Sequence, residues 1–256
     1  MYPSVREMTD AQRISIVKEI FSTITDEYDF VNQFISLRRN VFWRRFAVRE
    51  MRFFQTNRFL DVATGTADLA IEAARHHPHI SVVGLDFTDN MMVLGGKKVA
   101  RKGLSTRLRL VKGDALYLPF AAGCFDGAAI AFGIRNIPDK FQVLREMMRV
   151  VVPGGSILVL EMSDPQPHFL RPLYHLYLKK ILPSMAMVLS QNPGSYRYLG
   201  DSIIHFPSPV EFKRQMEEAG LVNVTMYPLT LGICHLHVGY KPALEAQRAS
   251  DMRHEQ

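Results

Sequence analysis

From Arg58 onward the chain alternates short apolar segments with helical ones, and this rhythm constrains its fold more than any other feature. "RFLDVA" (58–63), "ISVVGLD" (80–86), "RLRLVKGD" (107–114), "CFDGAAIAFG" (124–133) and "SILVLEMS" (156–163) have the composition of strands. Helical periodicity fills the gaps: to about His76, over 90–102, and over 140–151, where Pro153-Gly154-Gly155 stops it. Strands apolar on both faces, alternating with helices, require a parallel sheet covered on each side. A helix over 208–220 follows, with Ser208 as N-cap and Gly220 as C-cap. Two last strands, 223–230 and 233–241, are separated only by Leu231-Gly232, so they form a hairpin and one of them runs antiparallel to the rest. The fold class is α/β, with a mostly parallel sheet.

The remaining segments flank this sheet. Residues 10–54 have neither Gly nor Pro and read as helices. Residues 164–207, rich in Pro, Tyr, Leu and Met, break the alternation and are expected to form helices outside the sheet. We read residues 1–241 as one domain, with 1–54 as a helical lead-in and 164–207 as an insert. The polar tail, 242–256, lacks periodicity and is expected to be disordered.

Composition excludes several classes. Cys124 and Cys234 are the only cysteines and lie far apart, which argues against a zinc site, a redox pair or a disulfide framework. No stretch reaches the roughly 18 apolar residues of a spanning helix, and no secretory signal is visible. The net charge of +6 would attract nucleic acid or an anionic membrane, yet no nucleic-acid motif is present. The charge concentrates in "SLRRNVFWRRFAVREMR" (36–52), either a solvated helix face or a basic amphipathic segment lying on lipid. A cytoplasmic protein, peripheral on the inner face of the membrane if that segment binds lipid, is expected; a homodimer is left open.

The chemistry starts at "FLDVATGTADLA" (59–70), a strand running through very small residues into a helix. In open α/β sheets, ligands bind at the carboxyl ends of the strands. Acidic residues stand at three such ends: Asp61, Asp86 and Asp114. Asp86 lies about 20 residues beyond the loop, the distance at which a carboxylate meets ribose hydroxyls. The loop does not spell GxGxxG, and Asp61 and Asp68 disfavour a pyrophosphate. A cationic nucleoside, S-adenosylmethionine, fits instead, with Asp114 and the Ala115 N–H beside the adenine. Gly65 is the position that needs an unusual φ or a close approach, whereas Ala67 is expected in the right-handed region at the helix start, at little cost. Tight packing alone would explain the small residues, and capping alone would explain the acids; their order along the strands favours the cofactor.

At these residues the chain resembles the UbiE/Coq5 quinone-ring C-methyltransferases. The match runs over about 20–241 and includes "GLDFTDNM", "GDALYLPF", "FGIRNIPDK" and "SYRYLGDSI". It implies a Rossmann-like seven-stranded methyltransferase sheet, S-adenosylmethionine as cofactor, no metal, and methylation of a prenylated quinol in ubiquinone or menaquinone biosynthesis. Cofactor contacts carry over to Thr66, Asp86, Asp114 and Ala115. The family usually has Gly at Ala67 and often Ser at Ala131, so a hydroxyl contact to the cofactor is missing at Ala131.

The acceptor ring becomes nucleophilic when a neighbouring hydroxyl loses its proton, so a base or an oxyanion stabiliser is needed. Arg135 and Asn136 are the first candidates, Arg135 as stabiliser because a guanidinium is a poor base. The bland alternative for Arg135 is a salt bridge to Asp139 or Glu161. Tyr196 and Arg197 would close over the ring, Tyr28 would close the cofactor pocket, and His205 is an alternative base. The apolar insert, with Met185 and Met187, would line a lipid-tail tunnel or simply pack. Competing readings are a methyltransferase of another small molecule and a non-catalytic cofactor-binding component of a quinone-synthesis complex.

Overall fold

The computed structural model describes residues 2–23, 36, 38–165, 167–189 and 192–243. Helices α1 (Asp10–Thr23) and α2 (Arg39–Arg49) precede β1 (Arg58–Val62), α3 (Asp68–His76), β2 (Ser81–Asp86), α4 (Asp89–Arg101) and β3 (Leu108–Lys112). Then come β4 (Phe125–Ala131), α5 (Lys140–Val150) and β5 (Val151–Met162). The insert follows as α6 (Arg171–Leu176), a π turn (Tyr177–Ile181), α7 (Leu182–Leu189) and α8 (Pro193–Ile204). The chain returns through α9 (Pro209–Glu218) to β6 (Val222–Leu229) and β7 (Cys234–Tyr240). The sheet has seven strands in the order β3-β2-β1-β4-β5-β7-β6. Only β7 opposes the others, pairing antiparallel with both β5 and β6, as the hairpin requires. The order reverses between β1 and β4, which opens a crevice at their carboxyl ends.

Burial explains the strands. Every residue of β7 except Tyr240 is buried, as are all of β4 but Ala131, so both faces of the central sheet are covered. On one face, Trp43, Ala47 and Val48 of α2 and Ala70, Ala73 and Ala74 of α3 pack against Phe59, Leu158 and Leu236. On the other, Val143, Leu144 and Met147 of α5 and Phe212 and Met216 of α9 pack against Leu60, Ile130 and Val159. Ser208 caps α9 by accepting the Glu211 N–H at 3.2 Å, and Gly220 ends it at φ +106°. Three consecutive left-handed residues, Thr230, Leu231 and Gly232, make the hairpin turn.

Two boundaries differ from expectation. The lead-in helix stops at Arg49 rather than continuing to 54, because the backbone N–H groups of Phe54, Gln55, Thr56 and Asn57 all donate to the buried carboxylate of Asp126, at 2.7–3.3 Å. Pro153-Gly154-Gly155 does not precede β5 but sits within it as a bulge: Phe125 pairs with Val151, and Gly127 with Ser156. Within the basic segment 36–52, Trp43, Ala47 and Val48 are in the core, while Phe42 is exposed. The expected tail disorder and the part of the lead-in containing Tyr28 lie outside the described residues.

Candidate active site

The loop after β1 is held by its own carboxylate. Asp61 Oδ2 accepts the Thr64 hydroxyl at 2.6 Å and the Ala70 N–H at 3.1 Å. A protein carboxyl group therefore already sits at the N-terminus of α3, where a dinucleotide-binding unit would seat a phosphate. Burial pushes the Asp61 pKa up to about 7, against the pull of these hydrogen bonds and of Arg44. Asp61 lines neither cavity described below, so its action on a ligand would run through the loop. Asp68 is not available to a cationic ligand either, because Arg44 (3.1 Å) and Lys98 neutralise it. Lys98 Nζ also donates to the Thr66 hydroxyl at 3.0 Å, and Thr66 likewise lines neither cavity.

Gly65 has φ +56°, as its place in the loop suggests, with open space where a Cβ would stand. Ala67 overturns the expectation of a right-handed helix start. It caps α3 at φ 65°, ψ 23°, a conformation that costs an alanine about 1 kcal/mol. Ala63, Gly65 and Ala67 all take left-handed conformations within five residues, and only one of them is a glycine.

Two cavities open at the crevice. The smaller one lies over the tips of β1 to β4 and is lined by Gly65, Asp86, Asp114, Ala115 and Ala131, with Val17 and Phe21 of α1 as its roof. Asp86 Oδ2 accepts the Gly65 N–H at 2.8 Å, and Oδ1 accepts the Thr88 N–H at 2.9 Å. Burial raises the Asp86 pKa, and the backbone N–H groups of Thr88 and Gly65 oppose that shift. Asp114 Oδ1 accepts the Leu116 N–H at 2.9 Å. Two carboxylates at neighbouring strand tips suit hydroxyl and amino donors and repel phosphate, which fits the nucleoside of S-adenosylmethionine.

The larger cavity, of about 610 Å³, is lined by side chains of α1, α2, α6 to α8 and the β6–β7 turn. The two cavities share Phe21, Phe132 and Asn136. Arg135 lines the larger one and is buried. Its Nη1 donates to Glu161 Oε1 at 2.5 Å and to the Phe132 carbonyl at 2.7 Å. The bland alternative thus holds in part: Arg135 forms the Glu161 salt bridge and also lines the larger cavity. Asn136 Oδ1 accepts the Tyr198 hydroxyl at 3.3 Å. Tyr196 is buried and lines the larger cavity.

Several expectations fail here. Arg197 is exposed and lines neither cavity; one helical step turns it away while Tyr196 and Tyr198 face inward. His205 is engaged with Asp201 at 3.1 Å, away from both cavities. Met187 is 66% exposed and lines no tunnel; Leu173, Tyr174, Leu178 and Leu182 do so instead. Tyr198 lies in the "SYRYLGDSI" motif but is not singled out by it, and Glu161, Tyr174 and Asn40 are not singled out as site residues by any motif. Glu161 alone was foreshadowed, as an ion-pair partner.

The comparisons agree with this architecture. The family model described as the ubiE/COQ5 methyltransferase family matches residues 6–241. The ubiquinone/menaquinone biosynthesis C-methyltransferase UbiE of Geotalea daltonii is 42% identical over 226 residues, covering 88% of this chain and 96% of that protein. The demethylmenaquinone methyltransferase of Bacillus cytotoxicus is 40% identical over 230 residues, covering 90% and 97%. Among solved structures, an S-adenosylmethionine-dependent methyltransferase from Thermotoga maritima, a possible histamine N-methyltransferase, shares the fold. Its TM-score is 0.60 at 20% identity, over 87% of this chain and 99% of that one. With the sheet order, the paired carboxylates at the strand tips and a match over nearly its whole length, the chain belongs to the ubiE/COQ5 methyltransferase family.

Proposed function

We propose that the protein methylates a ring carbon of a prenylated quinol, demethylmenaquinol first among them, with S-adenosylmethionine as methyl donor. The observation that carries the reading is the meeting of a carboxylate-lined cavity with a large apolar one at Phe21, Phe132 and Asn136. Menaquinone is the product class common to the names of both relatives.

Asp86 would accept from the ribose hydroxyls, and Asp114 with the Ala115 N–H would hold the adenine edge. The open backbone at Gly65 and the small side chain of Ala131 admit the rest of the nucleoside. When bound, the cofactor supplies an electrophilic methyl group on a sulfonium. The protein's task is then positioning and exclusion of water. Phe21 and Phe132 wall the junction with apolar surface. Arg135 stays protonated and holds positive charge at the ring cavity, where it stabilises an oxyanion. Glu161 fixes the guanidinium, and Asn136 is set by Tyr198. Over the whole reaction a ring C–H becomes C–CH₃ and one proton is released.

Residues 1–241 act as one unit on this reading, with the lead-in and insert closing the acceptor cavity. No helix among the described residues is long and apolar enough to cross a membrane. Phe169, Leu173, Leu176 and Ile181 are exposed on the insert that also carries Lys179 and Lys180, and Leu173 lines the cavity. This surface suits peripheral docking on an anionic bilayer, from which a lipid-tailed quinol would enter. Incubating the protein with radiolabelled S-adenosylmethionine and a reduced demethylmenaquinol analogue should place label on carbon. Bound cofactor without transfer would reject the reading.

A further inference from the structure

We infer that Asn40 and Tyr174 form a two-point polar clamp on the acceptor ring, and that Asn40 selects the ring's reduced form; the inference rests on the quinol reading above. Asn40, in the first turn of α2, and Tyr174, in α6, both line the larger cavity and are 5% and 8% exposed. Neither Asn40 Oδ1 nor the Tyr174 hydroxyl has a hydrogen-bond partner among the described residues. Several other polar groups of the same wall are satisfied within the protein. Trp43 Nε1 donates to the Thr230 hydroxyl at 2.9 Å, Tyr198 to Asn136, and Ser195 to the Asn192 carbonyl at 2.6 Å.

Buried polar atoms without partners cost stability, and where two of them line one cavity they mark where a ligand completes the bonding. The two atoms differ in what they accept. A carboxamide oxygen is an acceptor only, so its partner must bring a hydrogen. The Tyr174 hydroxyl can donate, and burial holds its pKa far above the ordinary value, so it keeps its proton. A quinol carries O–H on two ring positions, whereas a quinone carries only carbonyls. One quinol hydroxyl would donate to Asn40 Oδ1, and the oxygen across the ring would accept from Tyr174. A quinone would satisfy Tyr174 and leave Asn40 unpaired.

The test is anaerobic equilibrium binding in the presence of S-adenosylhomocysteine, which prevents turnover. The probes are a short-tailed demethylnaphthoquinol and its oxidised quinone, against wild type, Asn40→Leu and Tyr174→Phe. Wild type should prefer the quinol by about tenfold, the worth of one net hydrogen bond. Asn40→Leu should abolish the preference by weakening quinol binding alone. Tyr174→Phe should weaken both forms several-fold and keep the preference. An Asn40→Leu protein that retains the preference overturns this inference and leaves the quinol reading intact. Wild type that binds neither form, while still binding S-adenosylhomocysteine, removes both. Ligand-free melting supplies an independent check. Tyr174→Phe deletes only an unsatisfied hydroxyl, so it should melt at or above the wild-type temperature. A fall would assign Tyr174 to structure and overturn the inference.

Discussion

The two cavities of this protein are built by different rules. The smaller is made from the tips of adjacent parallel strands, so backbone topology alone brings Gly65, Asp86, Asp114 and Ala131 together. The larger gathers residues from position 20 to position 233, and its walls are helices packed against helices. In the first, a polar group has one plausible task, since a carboxylate at a strand tip needs donors. In the second, an apolar side chain packs and binds with the same atoms, and only the polar exceptions separate the two roles. A site specified by topology is fixed by few residues; a site specified by packing is distributed over many.

Substitutions should separate the two. The largest effect is expected at Glu161, which compensates the buried charge of Arg135. Glu161→Ala should lower unfolding free energy by roughly 3–5 kcal/mol in urea titration; a loss below about 1 kcal/mol would show that the pair is dispensable. Next, Asp86→Ala should weaken S-adenosylmethionine binding by about 100-fold, because charge-assisted hydrogen bonds are lost. Quinol binding by that variant should change by no more than about twofold if the cavities act separately. Leu173→Asp, at the exposed edge of the larger cavity, should do the reverse: about tenfold weaker quinol binding, with cofactor affinity unchanged.

The pH dependence of stability is a smaller effect, since opposing groups share its window. His235 and His237, buried in β7, are pushed down to about 4 from an ordinary 6.5. As pH falls below 6.5 the unfolded chain protonates first, so their contribution is complete above 6.5 and is lost toward 4. Asp61, raised to about 7 from 3.8, works the other way: the folded chain binds its proton first, adding stability as pH falls through 7. Asp86 shifts in the same direction. Asp61→Asn should therefore steepen the loss of stability between pH 7 and 5, read as the urea midpoint; an unchanged slope would refute the assignment. The smallest effect belongs to Ala67→Gly, which relieves the left-handed strain but removes a buried methyl group. Stability should rise by no more than about 1 kcal/mol.

Legibility in the sequence follows the same division. Strand alternation, the hairpin and the strand-tip acids were readable because each depends on local pattern: a tight turn leaves β6 and β7 no choice but to oppose each other, although the turn alone does not say which of the two opposes the rest. Tyr196 and Asn136 were reachable through motif resemblance alone. Arg197 was misplaced because adjacent residues on a helix face different ways, and a motif string carries no face. The end of α2 was missed because its cause, Asp126, lies some seventy residues away and acts through four backbone N–H groups. Asn40 and Tyr174 were illegible because an unsatisfied atom is defined by its surroundings, which no single segment contains.

The central claim is that the two cavities meet, so that a nucleoside over the strand tips presents its methyl group to a ring in the apolar cavity. A crystal structure of the ternary complex with S-adenosylhomocysteine and a short-tailed demethylmenaquinol tests it most directly. The account predicts the ribose on Asp86, the adenine by Asp114, and the thioether sulfur facing a ring carbon between Phe132 and Asn136. A nucleoside bound away from Asp86, or a ring held outside the cavity lined by Tyr174 and Arg135, would contradict it.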